Sequence, residues 1–244
     1  MVYDAGKIRL DTKDFDEFIK RTNQRLVYQE LVKQNNLESV IDKAYKMLER
    51  ENSVTDDPVD QDWILRFFNS VQDVSSEEMQ TLWAKILAGE VKCPSTYSIR
   101  TLETLRNINK DEALLFQRIC NYVINDGRAT YLPNYPTLLR KAVIPYDDVM
   151  RLGECGLLLS TQGIVVINKL SPVVANPIAV NRSYIILATS ESLHELNILA
   201  YPLTSAGREI SKLFESDIDD EFFIAFAREI KDTHSMAKVC LHKI

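Results

Sequence analysis

Glycine is scarce in this chain, with seven in 244 residues. Neither GxGxxG nor a GxxxxGKS/T loop occurs. Glycines let backbone N–H groups approach a phosphate closely, so their lack excludes nucleotide sites of the phosphate-loop and dinucleotide-fold kinds. The four cysteines, Cys93, Cys120, Cys155 and Cys240, are widely scattered and form no CxxC pair. A zinc ribbon or redox dithiol is disfavoured, and free thiols in a reduced, cytoplasmic setting are the simplest account. No run approaches the ~18 apolar residues of a membrane span. The first residues, MVYDAGKIRLDTKDFDEF, are acidic and polar, unlike a secretory signal. Cationic residues are outnumbered, 29 Lys and Arg against 35 Asp and Glu, for a net charge of −6. That balance opposes phosphate-backbone binding.

Helical signals fill the first half. Phe15, Phe18, Ile19, Leu26 and Leu31 repeat irregularly. Leu37, Val40, Ile41, Ala44 and Leu48 form a cleaner stripe, and Asn35–Asn36 reads as a break between two helices. The second stripe must be covered, either by folding back on the chain's own centre or by the same helix of a second copy; the polar segment 51–62 reads as a hinge, which favours the second, a homodimer contact. Trp63, Phe67 and Val71 mark a helix after that hinge. Ser75 and Glu78 fit a capping box ahead of Met79, Leu82, Trp83, Ile86 and Leu87, with Gly89 as a left-handed stop. Trp83 is expected in the core beside the helix of Leu102 and Leu105. Ser98 opens that next helix. Asn109 and Glu112 cap another, carrying Ala113, Phe116, Ile119 and Val123.

The run LWAKILAGE (82–90), the small-residue loop at 95–98, Arg100–Thr101–Leu102 and Asp111–Glu112–Ala113 up to Phe116 resemble the bacterial family called domain of unknown function 2806. The upstream acidic-Trp segment and the late LTSAGREI string fit the same pattern. A more distant similarity, in the LWAxLLA helix and the Asp-Glu-Ala helix start, is to abortive-infection alpha-type proteins. These resemblances imply no catalytic residue.

After the Asp126–Gly127 turn the periodicity changes. Short strand candidates cover 129–132, 157–159, 164–168 and 184–188. Helices are expected at 138–143, from Pro145 to about Leu152, after the Thr204 cap and around Phe222, Phe223, Phe226 and Ile230, with a last strand at 238–241. Tyr201, Leu203, Thr204, Gly207, Arg208 and Glu209 resemble the closing string of a bacterial winged helix, with Gly207 permitting close packing. The expected fold is therefore mainly α: an N-terminal helical region (1–58), a helical centre (59–126) and an α+β winged-helix-like part (127–244).

The segment from Pro145 to Arg151 would enter a DNA groove, but Asp147 and Asp148 there would face phosphates. Arg140, Lys141 and Arg151 form a thin basic footprint. With Arg100 they are the candidate interaction residues. Arg100 reads first as a structural ion pair and second as a site for an anionic partner. Glu90-Val91-Lys92, with Asp62 or Asp73, matches part of a metal-dependent nuclease core, yet it follows a strong helix rather than forming a strand. His234, Cys240 and His242 would need a fourth zinc ligand, and a frayed C-terminus is the simpler reading. His194–Glu195 reads as an isolated polar pair in a loop. The expected function is a non-catalytic interaction or sensor module with a protein partner and no cofactor, set in phage defence or stress response by the resemblance alone. A nucleic-acid-binding regulator is second and a nuclease third.

Overall fold

A computed structural model describes residues 2–4, 7–9, 12–51, 54–214 and 218–244. Helix predominates. The chain divides into two compact units, Met1–Ser95 and Thr96–Ile244. The three-part reading of the sequence instead places boundaries after residues 58 and 126.

The first unit holds a short antiparallel ribbon, β1 (Val2–Asp4) and β2 (Lys7–Arg9), and three helices, α1 (Thr12–Leu48), α2 (Gln61–Val71) and α3 (Glu77–Lys92). The expected break at Asn35–Asn36 is absent, and α1 runs through it. The reason is tertiary. Asn36 is buried, donating from Nδ2 to the Gln72 carbonyl at 2.9 Å. Buried Gln80 of α3 donates to the Val74 carbonyl at 3.0 Å and accepts from Ser39 Oγ at 2.7 Å. These bonds satisfy polar groups that would otherwise oppose packing. Val40 and Ala44 are buried beside them, and α1 packs chiefly on α3. Val40 and Ala44 of the stripe expected to meet a second copy are thus covered within the chain, while Ile41 stays exposed at 43%. The segment 51–62 joins elements of one unit. Its residues Asn52 and Ser53 lie outside the described residues.

Trp83 is fully buried, as expected, and its ring meets Phe67 edge-on at 5.5 Å. Trp63 stacks on Phe67 at 5.2 Å. Two details of α3 differ from the sequence reading. Its N-cap is Ser76, with no side-chain cap bond, so the Ser75–Glu78 box does not form. The helix also runs past Gly89 to Lys92, and the left-handed residue is Ser95, at φ 68°. Glu90 accounts for this. Its carboxylate, 1% exposed, accepts the Ser95 N–H at 2.6 Å and so holds the turn after the helix.

The second unit opens with α4 (Ile99–Arg106) and α5 (Lys110–Cys120). Ser98 caps α4, and Asn109 and Glu112 form the full capping box of α5, both as the sequence indicated. Then follow β3 (Ile124–Asn125), β4 (Thr130–Pro133), α6 (Pro136–Lys141), α7 (Tyr146–Glu154), β5 (Val165–Lys169), β6 (Asn176–Val180), β7 (Tyr184–Thr189) and β8 (Glu195–Pro202). The chain ends with α8 (Ser205–Ser211), α9 (Asp220–Thr233) and β9 (Lys238–Lys243). Two antiparallel sheets result, in the orders β3-β4-β8-β5 and β6-β7-β9. Residues 157–159 form only one isolated bridge, Leu158 with Leu203. Glu195, read as part of a loop, starts the longest strand of this unit. The C-terminus is not frayed: β9 pairs with β7 over six residues.

Candidate functional site

Two sequence motifs far apart in the chain meet in the second unit. Glu209 on α8 accepts from Ser98 N at 2.7 Å, Ser98 Oγ at 3.1 Å and Thr101 Oγ1 at 2.5 Å. A carboxylate at the start of α4 satisfies orphan N–H groups and complements the positive end of the helix. Gly207 sits two residues earlier on α8. A Cβ there would collide with the Leu157 carbonyl oxygen. Thr204 caps α8 and also donates to the Gly156 carbonyl at 2.6 Å. The conspicuous Ser98–Thr101 and Thr204–Glu209 strings thus serve to lock backbone segments together.

The four candidate interaction residues separate into two places. Arg100 and Arg151 line one cleft of about 550 Å³, with Glu103, Asn107, Glu112 and Glu154. Arg151 Nε lies 3.5 Å from Glu112 Oε1. Arg100 makes no ion pair among the described residues. Three carboxylates against two guanidinium groups leave this cleft acidic, which is poor chemistry for an anionic ligand. Cys155 lines it too. Burial, aided by Glu112, pushes its thiol up to about 11, so it stays protonated and weakly nucleophilic at neutral pH. Lys141 lies elsewhere, 3.4 Å from Glu221 on α9. Arg140 precedes it at the end of α6.

The start of α7 is acidic, and its neighbour α5 answers it. Asp148 accepts Arg118 Nη2 at 2.6 Å, and Arg118 Nη1 also donates to the Val143 carbonyl at 3.0 Å. Arg118 drew no attention in the sequence, because its partner lies thirty residues on. Of the basic residues around α6 and α7, Arg118, Lys141 and Arg151 are therefore occupied by carboxylates. A second cleft of the same unit, about 490 Å³, is lined by Cys120, Asn125, Thr130, Arg208, Glu209 and Lys212. Burial raises the Cys120 thiol to about 12, which makes it inert.

The enzyme-like signatures are dispersed or structurally engaged. Glu90 holds the Ser95 turn, and Lys92 pairs with Glu51 at 2.6 Å, both from the last turns of a helix. His234 Nδ1 lies 3.1 Å from the Ile230 carbonyl at the end of α9, whereas Cys240 and His242 lie on β9. Among the described residues no group of three or more His, Cys, Asp or Glu side chains is placed to hold a metal ion. No helix among them is long and apolar enough to cross a membrane.

One surface stands apart in the first unit. On the N-terminal half of α1, Phe15, Phe18, Ile19, Leu26, Val27, Tyr28 and Leu31 are all exposed, Leu31 at 65% and Tyr28 at 68%. Apolar side chains concentrated in this way mark interaction surfaces. No curated protein and no solved structure matches the chain. A family model described as "Protein of unknown function (DUF2806)" matches residues 20–227, which include α2 to α8 with their motifs, and the chain belongs to that family.

Proposed function

We propose that this chain is a non-catalytic protein-interaction or sensor module, and that its second unit is a winged helix that docks proteins rather than reading DNA. The topology supports the winged-helix reading. Helix α5, strand β4, helices α6 and α7, and strands β5 and β8 follow one another, with β8 hydrogen-bonded between β4 and β5. The β6–β7 hairpin lengthens the connection between β5 and β8, where a simple wing would be.

The observation that carries the docking reading is the charge of α7. Asp147 and Asp148 occupy its first turn, the part that would approach phosphates, and Arg118 and Arg151 nearby are committed to Asp148 and Glu112. Binding duplex DNA would require breaking those pairs while forgoing much of the counterion release that drives association. Mobility-shift titrations over a salt series test this. The expected affinity is no tighter than ordinary non-specific binding, ~10⁻⁴ to 10⁻⁶ M at physiological salt. Nanomolar binding with a steep salt slope would put the nucleic-acid regulator, which the same topology favours, in its place. The proposed setting is cytoplasmic, on scattered cysteines that form no CxxC pair. A role in phage defence or stress response rests on the abortive-infection resemblance, and the genes flanking this one test it.

A further inference from the structure

We propose that the cleft of about 490 Å³ in the second unit binds a small phosphate monoester. No residue of α7 lines it, so the site stands whichever partner α7 meets. Two cations and one carboxylate line this cleft, Arg208, Lys212 and Glu209, the reverse of the balance in the Arg100–Arg151 cleft and of the whole chain. The carboxylate is already engaged. Glu209 accepts from Ser98 N, Ser98 Oγ and Thr101 Oγ1, and its charge faces the positive start of α4. The cations lack such partners. Arg208 and Lys212 are four residues apart, neighbours on a helix face, and neither makes an ion pair among the described residues. Arg208 is nevertheless held in place. Its Nη1 donates to the Leu203 carbonyl at 3.1 Å and its Nη2 to Ser205 Oγ at 3.2 Å. Both acceptors are neutral, so the guanidinium charge stays unbalanced and its other N–H groups stay available.

The remaining lining selects the ligand class. Asn125 Oδ1 accepts the Gly127 N–H at 2.9 Å, which leaves the amide NH2 to donate. The Ser205 hydroxyl accepts from Arg208 and keeps its own proton to donate, and the Thr130 hydroxyl has no hydrogen-bond partner among the described residues. An oxyanion can accept from all of these groups. Two unbalanced cations suit a phosphate dianion better than a single carboxylate, and a guanidinium fork matches phosphate geometry. Val123, Val180 and Ile218 add an apolar wall, so an ester with a compact apolar body fits better than free phosphate. The cleft has the size of ordinary small-molecule sites, roughly 300–1,000 Å³. Its donors are side chains, so it needs no glycine-rich loop, in keeping with the scarcity of glycine.

The test is calorimetric titration of the full chain with phenyl phosphate, inorganic phosphate, benzoate and phenol. Phenyl phosphate should bind saturably to one site, about tenfold or more tighter than benzoate or inorganic phosphate, and phenol should not bind. Lys212→Gln, at an exposed position, should weaken phenyl phosphate about tenfold, the size of one charge-assisted hydrogen bond. Val180→Trp, on the apolar wall and 45% exposed, should block binding without altering any charge. Lys169→Gln, an exposed lysine outside the cleft, should leave the affinity unchanged. Methyl NMR locates the ligand: the Val123, Val180 and Ile218 signals should move, whereas that of Val173, outside the cleft, should not. Absence of saturation by ~10 mM phenyl phosphate overturns the site. So do benzoate binding as tightly, an affinity untouched by Lys212→Gln and Val180→Trp, or shifts confined to other residues. The DNA titration reports on α7 independently, so weak DNA binding without phosphate-ester binding would sink this site alone.

Discussion

Gly207 shows how one residue can be required for a reason its local conformation does not reveal. Its φ is not in the left-handed region, unlike those of Gly127, Gly156 and Gly163. Its constraint is the Leu157 carbonyl oxygen, which occupies the space a Cβ would need. A backbone atom cannot rotate away as a side chain can. Gly207→Ala is expected to cost about 2–3 kcal/mol, in the range of core overpacking. Thermal unfolding should then show Tm lowered by roughly 5–10 °C, and an unchanged Tm would mean that α8 can shift away freely. Gly153 is a related case. The atoms nearest a Cβ there are Ser160 Oγ, which can rotate, and Ser160 Cβ, which moves only with its backbone.

At the scale of elements, helix boundaries depend on partners distant in sequence. The Asn109–Glu112 box is local and was legible, because both members lie within one turn. The end of α3 was not, because Glu90 reaches forward to Ser95 and removes the need for a glycine stop. The start of α4 combines both kinds of cap. Ser98 was legible as its cap, but Glu209 arrives from 111 residues away. Glu209→Ala leaves Ser98 N, Ser98 Oγ and Thr101 Oγ1 without their shared acceptor. Its expected cost is about 2–3 kcal/mol, as for hydrogen bonds to a charged group. Glu209→Gln keeps an acceptor and should lose less. Urea denaturation of both variants checks the ordering, and equal losses would show that the charge itself dominates.

At the scale of the whole molecule, buried thiols and phenols link stability to alkaline pH. Burial raises the Cys120 thiol from 9.0 to about 12. Below pH 9 it is protonated whether the chain is folded or unfolded, so its contribution is fully present. Above pH 9 the unfolded thiol ionises while the buried one does not, and stability is lost as pH climbs toward 12. Burial also raises the Tyr131, Tyr135 and Tyr201 hydroxyls, which adds to the loss above pH 10. Unfolding free energy should be insensitive to these groups from pH 7 to 9. Beyond that it should fall by up to ~1.4 kcal/mol per pH unit for each group that titrates. Urea titrations at stepped pH check this, and Cys120→Ala should flatten the slope between pH 9 and 12. A stability that stays flat to pH 11 would contradict the burial of these groups.

Local periodicity and short-range chemistry specified the mainly helical character, the Trp63–Phe67–Val71 and Trp83 core positions, and the caps at Ser98, Asn109 and Thr204, because each needs only neighbours within one or two turns. The same holds for the Asp126–Gly127 turn, where Asp126 accepts the backbone N–H groups of Arg128 and Ala129. Asn36 reads as a helix breaker when only its neighbours are counted. Its bond to Gln72 and the adjacent Gln80 network, formed by a different helix, make it a packing residue and keep α1 whole. Strand β6 escaped notice because Pro177 cannot donate to a ladder. Among the candidate interaction residues, chain order alone could not say that Arg151 meets Glu112, that Lys141 meets Glu221, or that Arg118 guards Asp148. Charge is additive along a sequence, but its pairing is a property of distance, and only the folded chain sets those distances.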